Sequence, residues 1–213
     1  QLLTIGTGGI TISGGNGSGG GNSASILQNG TAATQAINVN GGNLGLLSGA
    51  GSATNNASIN NSGTSQDITV NDAASVSVVA QTASASIFSS GNQTLTIQGA
   101  SSINALTVGG ALSASFSNIS GKNQIVTAGT TGQSGSITVQ GGTANATNTS
   151  IFSSAGPQTV STAGMLSITA GSQSDTASTF GANASVFNTG TGLQTVSANG
   201  ISLQGGSIGS SNS

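Results

Sequence analysis

Apolar and polar residues alternate along this chain in three short phrases that recur in a fixed order. The first phrase opens on glutamine: Gln1-Leu2-Leu3-Thr4-Ile5, Gln35-Ala36-Ile37-Asn38-Val39, Gln66-Asp67-Ile68-Thr69-Val70 and Gln93-Thr94-Leu95-Thr96-Ile97. It returns at Gln124-Ile125-Val126-Thr127-Ala128, Gln158-Thr159-Val160-Ser161 and Gln194-Thr195-Val196-Ser197-Ala198. The second places apolar residues two apart, at Ile10/Ile12, Leu44/Leu46, Val76/Val78, Leu106/Val108, Ile137/Val139, Leu166/Ile168 and Ile201/Leu203. The third reads Ala24-Ser25-Ile26, Ala57-Ser58-Ile59, Ala85-Ser86-Ile87, Ala114-Ser115-Phe116, Thr149-Ser150-Ile151 and Ala184-Ser185-Val186. All three have period two, the spacing of a strand with one face inward and one outward, and none has the i, i+3, i+4 spacing of a helix. Clusters such as Gly14 to Gly21 and Gly141 to Asn145 lie between phrases and supply corners.

The seven glutamines stand at intervals of 34, 31, 27, 31, 34 and 36, so the repeating unit is about 32 residues. A period of that length signals a solenoid. Three strands per unit make one triangular coil, and stacked coils make three parallel sheets. The predicted fold is therefore all-β: a parallel β-solenoid, a right-handed β-helix of about seven coils spanning residues 1–213 as a single domain. The hand follows from the general preference of parallel crossovers. One coil alone cannot bury its apolar face, so stability passes from neighbour to neighbour along the stack. At strand spacing, seven layers make a rod of roughly 30 Å. A β-sandwich also has short alternating strands, but it does not repeat one three-part phrase in register.

Charge narrows the function. The chain holds one Lys (Lys122), three Asp (Asp67, Asp72, Asp175), and no Arg, Glu, His or Cys. Phosphate recognition needs clusters of cations, so neither nucleic acid nor an anionic lipid surface is an expected partner. Calcium-binding solenoids repeat an Asp within a Gly-rich phrase, and three scattered Asp cannot do this. Sugar-cleaving β-helices group carboxylates with a base, and a Ser nucleophile needs a neighbouring base to activate it. The expectation is a non-catalytic protein with no metal and no cofactor. No stretch approaches the roughly 20 apolar residues of a membrane span. The 36 Gly suggest low complexity, but the near absence of charge and the periodic aliphatics argue for a packed core. A start at Gln1 without a basic-then-apolar leader reads as a processed product or an excerpt.

The stretches Ala85 to Ile97 (Ala-Ser-Ile-Phe-Ser-Ser-Gly-Asn-Gln-Thr-Leu-Thr-Ile) and Gly156 to Gly171 carry a resemblance to the repeats of filamentous-haemagglutinin-type adhesins and related large bacterial exoproteins. The resemblance covers nearly the whole chain. It implies a right-handed parallel β-helix, export across a bacterial envelope, and adhesion or matrix formation. The family's coils are usually shorter, and this chain has neither its secretion domain nor its receptor tripeptide.

Four groups of residues are singled out. Gln1, Gln35, Gln66, Gln93, Gln124, Gln158 and Gln194 share parity with inward apolar residues, and stacked amides bond along the rod as a ladder. Leu27, Phe88, Phe152 and Phe187 each follow an inward residue directly, so they sit at a corner or form an outward stripe for lateral contact. Outward rows such as Thr94/Thr96 and Thr159/Ser161 have the chemistry of an ice-binding face, but Leu2, Asn38 and Asp67 interrupt them. Gln1, Leu3 and Ile5 at one end and Ile201, Leu203 and Ile208 at the other are candidates for end-to-end contact, because Ile208 would precede the Gln1 of a following copy by the same six positions that separate Ile87 from Gln93. The expected function is a structural filament or matrix protein, outside the cell or at its surface, stacking head to tail on copies of itself. The alternatives are a stalk fragment of a large adhesin and an ice-binding solenoid.

Overall fold

The structure is a computed structural model; it describes residues 1–72, 75–99, 103–111, 113–118, 122–130, 132–143, 147–154, 156–172 and 182–206. Its first turn is β1 (Leu2–Ile5), β2 (Ile10–Ser13) and β3 (Ala24–Gln28). The second is β4 (Thr34–Asn40), β5 (Leu44–Leu47) and β6 (Ala57–Asn61), and the third β7 (Ser65–Asn71), β8 (Ser75–Ala80) and β9 (Ala85–Ser89). The fourth is β10 (Asn92–Gln98), β11 (Ile103–Gly110) and β12 (Ala114–Asn118), and the fifth β13 (Gln124–Ala128), β14 (Ser134–Gln140) and β15 (Asn148–Ser153). The sixth is β16 (Gln158–Thr162), β17 (Met165–Thr169) and β18 (Asn183–Asn188), and β19 (Gln194–Ser197) and β20 (Gly200–Gln204) follow.

Every third strand pairs in parallel. Sheet A is β1-β4-β7-β10-β13-β16-β19, sheet B is β2-β5-β8-β11-β14-β17-β20, and sheet C is β3-β6-β9-β12-β15-β18. The molecule is thus a three-sheet parallel β-solenoid of six full turns, with two strands laid on the sixth. Among the described residues there is no helix. The count agrees with about seven coils, the last of them represented by two strands.

Register makes the core. In sheet A, Ile37, Ile68, Leu95, Val126 and Val160 stack in one column, because each pairs with its counterpart one turn away. In sheet B the column Leu44, Val76, Leu106, Ile137, Leu166 does the same, and in sheet C the column Ile59, Ile87, Phe116, Ile151. These side chains are buried on every inner turn, and full burial of one such side chain contributes about 1.5–3 kcal/mol. Ile201 continues this sheet B column from Leu166, and Leu203 the adjacent one from Ile168, but they are 55% and 73% exposed, since among the described residues no layer covers β20. The difference is the nearest-neighbour principle in the structure itself: a residue is buried by the turn above and the turn below.

Corners demand glycine where backbones of successive turns touch. At the corner between sheets C and A, a Cβ on Gly91 would lie 2.3 Å from the carbonyl carbon and oxygen of Thr64. Asp72 has φ 59° at a corner between sheets A and B, a conformation that Asp tolerates better than most residues.

Candidate functional site: polar ladders and outer faces

Each sheet A strand begins near a glutamine whose side chain turns inward at the corner with sheet C. Gln35 donates from Nε2 to Gln1 Oε1 at 2.9 Å, Gln66 to Gln35 at 2.8 Å and Gln93 to Gln66 at 2.9 Å. Gln124 donates to Gln93 at 2.8 Å, Gln158 to Gln124 at 2.7 Å, and Gln194 to Gln158 at 2.5 Å. The same amide nitrogens reach across to sheet C carbonyls: Gln66 to Phe88 at 3.1 Å, Gln124 to Phe152 at 2.9 Å and Gln158 to Phe187 at 3.3 Å. One amide therefore joins three strands, two in sheet A and one in sheet C. Gln35, Gln66, Gln93, Gln124 and Gln158 are fully buried, which makes each partner necessary, because a buried amide left unpaired costs about 1–3 kcal/mol.

A second polar column, which the sequence reading missed, ends the sheet C strands. Gln28, Asn61, Ser89, Asn118, Ser153 and Asn188 stand in register, two residues after the inward Ile, Phe or Val. Asn61 donates to Ser89 Oγ at 3.1 Å and accepts from the Gly63 N–H at 3.1 Å. Asn118 donates to the Gly91 carbonyl at 2.8 Å, and Asn188 donates to the Gly156 carbonyl at 2.7 Å. These side chains satisfy the turning backbone of the corner. The available signal was parity: a polar residue recurring on the inward side of an alternating strand.

Among the described residues, two buried side-chain atoms have no partner, Gln28 Oε1 and Thr149 Oγ1. Thr149 occupies a column that is otherwise Ala24, Ala57, Ala85, Ala114 and Ala184. Thr149→Val keeps the shape and removes the unpaired hydroxyl, so it is expected to raise stability by about 1 kcal/mol. Urea denaturation checks this; a loss of stability would mean that the hydroxyl is satisfied in solution.

The structure resolves the placement of Leu27, Phe88, Phe152 and Phe187. Each sheet C strand runs at least one residue past them, to Gln28, Ser89, Ser153 and Asn188. They lie on the outer face of sheet C and not at the corner. Register continues the column as Leu27, Asn60, Phe88, Ser117, Phe152 and Phe187. The Phe152 and Phe187 rings are 4.6 Å apart at centroid and tilted by 33°.

The outer face of sheet A is mostly polar, with one charge at Asp67 and apolar breaks at Leu2 and Ile125. The outward row of sheet A reads Thr4, Asn38, Thr69, Thr96, Thr127, Ser161, Ser197, beside Leu2, Ala36, Asp67, Thr94, Ile125, Thr159, Thr195. An open groove of about 530 Å³ crosses part of this face, lined by Thr127, Thr130, Gln133, Ser161 and Asn199 among others. No group of three or more His, Cys, Asp or Glu that could hold a metal ion occurs among the described residues. Gln1, Leu3 and Ile5 lie on the first turn, Ile201 and Leu203 on the last strand of sheet B, and Ile208 falls outside the described residues.

The chain matches no protein-family model, no curated protein and no solved structure. Its architecture is compatible with β-helix repeat proteins and with a structural or stalk role. No helix among the described residues is long and apolar enough to cross a membrane.

Proposed function

We propose that this chain is a non-catalytic structural rod, secreted and working outside the cell or at its surface, and that copies stack head to tail into a filament. The observation that carries this reading is the sameness of the stacking surface at every level. The inward columns and the glutamine ladder repeat in register from turn to turn, so any turn is a template for another. The last described turn offers Val196, Ile201 and Leu203 as an open apolar ledge, and the first offers Leu3, Ile5 and Ile10. A second copy joins these two ledges by parallel strand pairing, a head-to-tail contact that does not close on itself. Ser side chains without His or Glu, and one Lys, favour no chemistry in the rod itself.

The resemblance of Ala85 to Ile97 and Gly156 to Gly171 to filamentous-haemagglutinin-type repeats favours a second reading, a stalk of a larger bacterial adhesin in which flanking turns of one chain replace the second copy. The outer Thr rows support the ice-binding alternative poorly, because Asn38, Asp67 and Ile125 break their regularity. Electron microscopy of the purified chain tests the filament. Unbranched fibres with a layer spacing of about 4.8 Å are the expected result. Discrete particles roughly 30 Å long at all concentrations would reject self-stacking.

A further inference from the structure

We infer that the outer face of sheet C is a lateral interface on which a second copy of the rod packs in parallel, with its two-fold axis along the rod. This face carries two columns. One is serine at every turn, Ser25, Ser58, Ser86, Ser115, Ser150 and Ser185; the other is the bulkier column Leu27, Asn60, Phe88, Ser117, Phe152 and Phe187. No strand of the face holds a charged residue. Leu27 is 49% and Phe187 38% exposed.

The occupant follows from shape and charge. Facing sheets interdigitate at about 10 Å, so a ring on one face needs a small residue opposite. A two-fold axis along the rod, midway between the columns, sets the bulky column of each rod against the serine column of its partner at every level. Phe88 then meets Ser86 and Phe187 meets Ser185 of the other copy, while Ser150, only 9% exposed, lies too deep to take a ring. An antiparallel pair about an axis along the strands sets each column against itself in reversed order, so Leu27 meets Phe187 and both bulky ends collide. The partner must also present an uncharged face with a level at every strand spacing, and sheet C of a second copy meets both conditions.

Six strands of about five residues cover roughly 30 by 16 Å, about 900 Å² in total for two partners, below the 1,200 Å² of a standard stable interface. A pair of single chains thus associates weakly, and the contact gains one increment with every added turn. It does not require end-on stacking.

Cross-linking tests it, because the chain has no native Cys. Single-cysteine chains carrying Ser115→Cys, Ser117→Cys or Ser86→Cys are treated at high concentration with a short bis-maleimide. Parallel pairing sets position 115 opposite position 117, so mixing Ser115→Cys with Ser117→Cys is expected to give several-fold more linked dimer than either chain alone. Adding Phe152→Ser and Phe187→Ser to both partners should return the yield to the single-variant level, while their circular dichroism reports that the rod is intact. A higher yield from Ser86→Cys with Ser115→Cys would establish antiparallel packing and overturn the proposal, as would equal yields from all mixtures. Lone filaments that lose this enhancement would separate failure of the lateral contact from failure of end-on assembly.

Discussion

Gln93→Leu is expected to lower stability by about 2–4 kcal/mol, although leucine fills nearly the same space and is the more apolar side chain. The loss comes from its neighbours. Gln66 Oε1 accepts from Gln93 at 2.9 Å, and Gln124 donates to Gln93 at 2.8 Å. With Gln93 gone, the buried carbonyl oxygen of Gln66 has no donor, and Gln124 loses its ladder partner and keeps only the sheet C carbonyls of Phe152 at 2.9 Å and Phe116 at 3.4 Å. Because coupling runs between adjacent turns, the damage is local to the fourth turn, and unfolding should split into two transitions instead of merely shifting. Gln194→Leu is the control, since Gln194 is exposed and its loss should cost less than about 1 kcal/mol. Denaturation followed by circular dichroism reads both. Equal effects at the two positions would mean that the ladder contributes nothing beyond ordinary polar contacts.

Gly91→Ala should be at least as severe, about 3 kcal/mol or more. The added Cβ would lie 2.3 Å from the Thr64 carbonyl and 2.4 Å from the Gly63 oxygen, both backbone atoms of the preceding turn. A flexible side chain steps aside; a backbone already bonded does not. The Asn92 N–H donates to the Thr64 oxygen at 2.9 Å, and Asn118 holds the Gly91 carbonyl from the following turn at 2.8 Å. Relief would require pulling adjacent turns apart. Gly6→Ala, where nothing lies within 4 Å, should change stability by less than about 0.5 kcal/mol. A Gly91→Ala protein with unchanged melting would show that corners are slack enough to absorb a methyl group.

These two sites mark where the sequence was readable. The repeat of Gln93 with Leu95 and Ile97 displayed sheet A and its register directly, because parallel in-register stacking forces like residues to the same depth. Parity alone located the ladder, although not its second bond to the sheet C carbonyls, since that depends on how two sheets meet at a corner. The column from Gln28 to Asn188 escaped notice because Gln, Asn and Ser alternate there. What is preserved is reach to a nearby loop, not residue identity. Phe88 remained ambiguous between corner and outer face until Ser89 was seen to continue the strand, its hydroxyl accepting from the Gly91 N–H at 3.1 Å. Thr149 in the alanine column is legible as a departure from the pattern; its unpaired hydroxyl is visible only in three dimensions.

The six rungs between glutamines share a sense: in every one, the later residue gives its N–H to the earlier. The rod is therefore vectorial, with a giving pole and a taking pole that differ chemically although the cross-section is the same. Two rods brought together at like poles would face donor to donor or acceptor to acceptor. An assembly of such rods inherits an arrow along its whole length, so growth at its two tips should proceed at unequal rates.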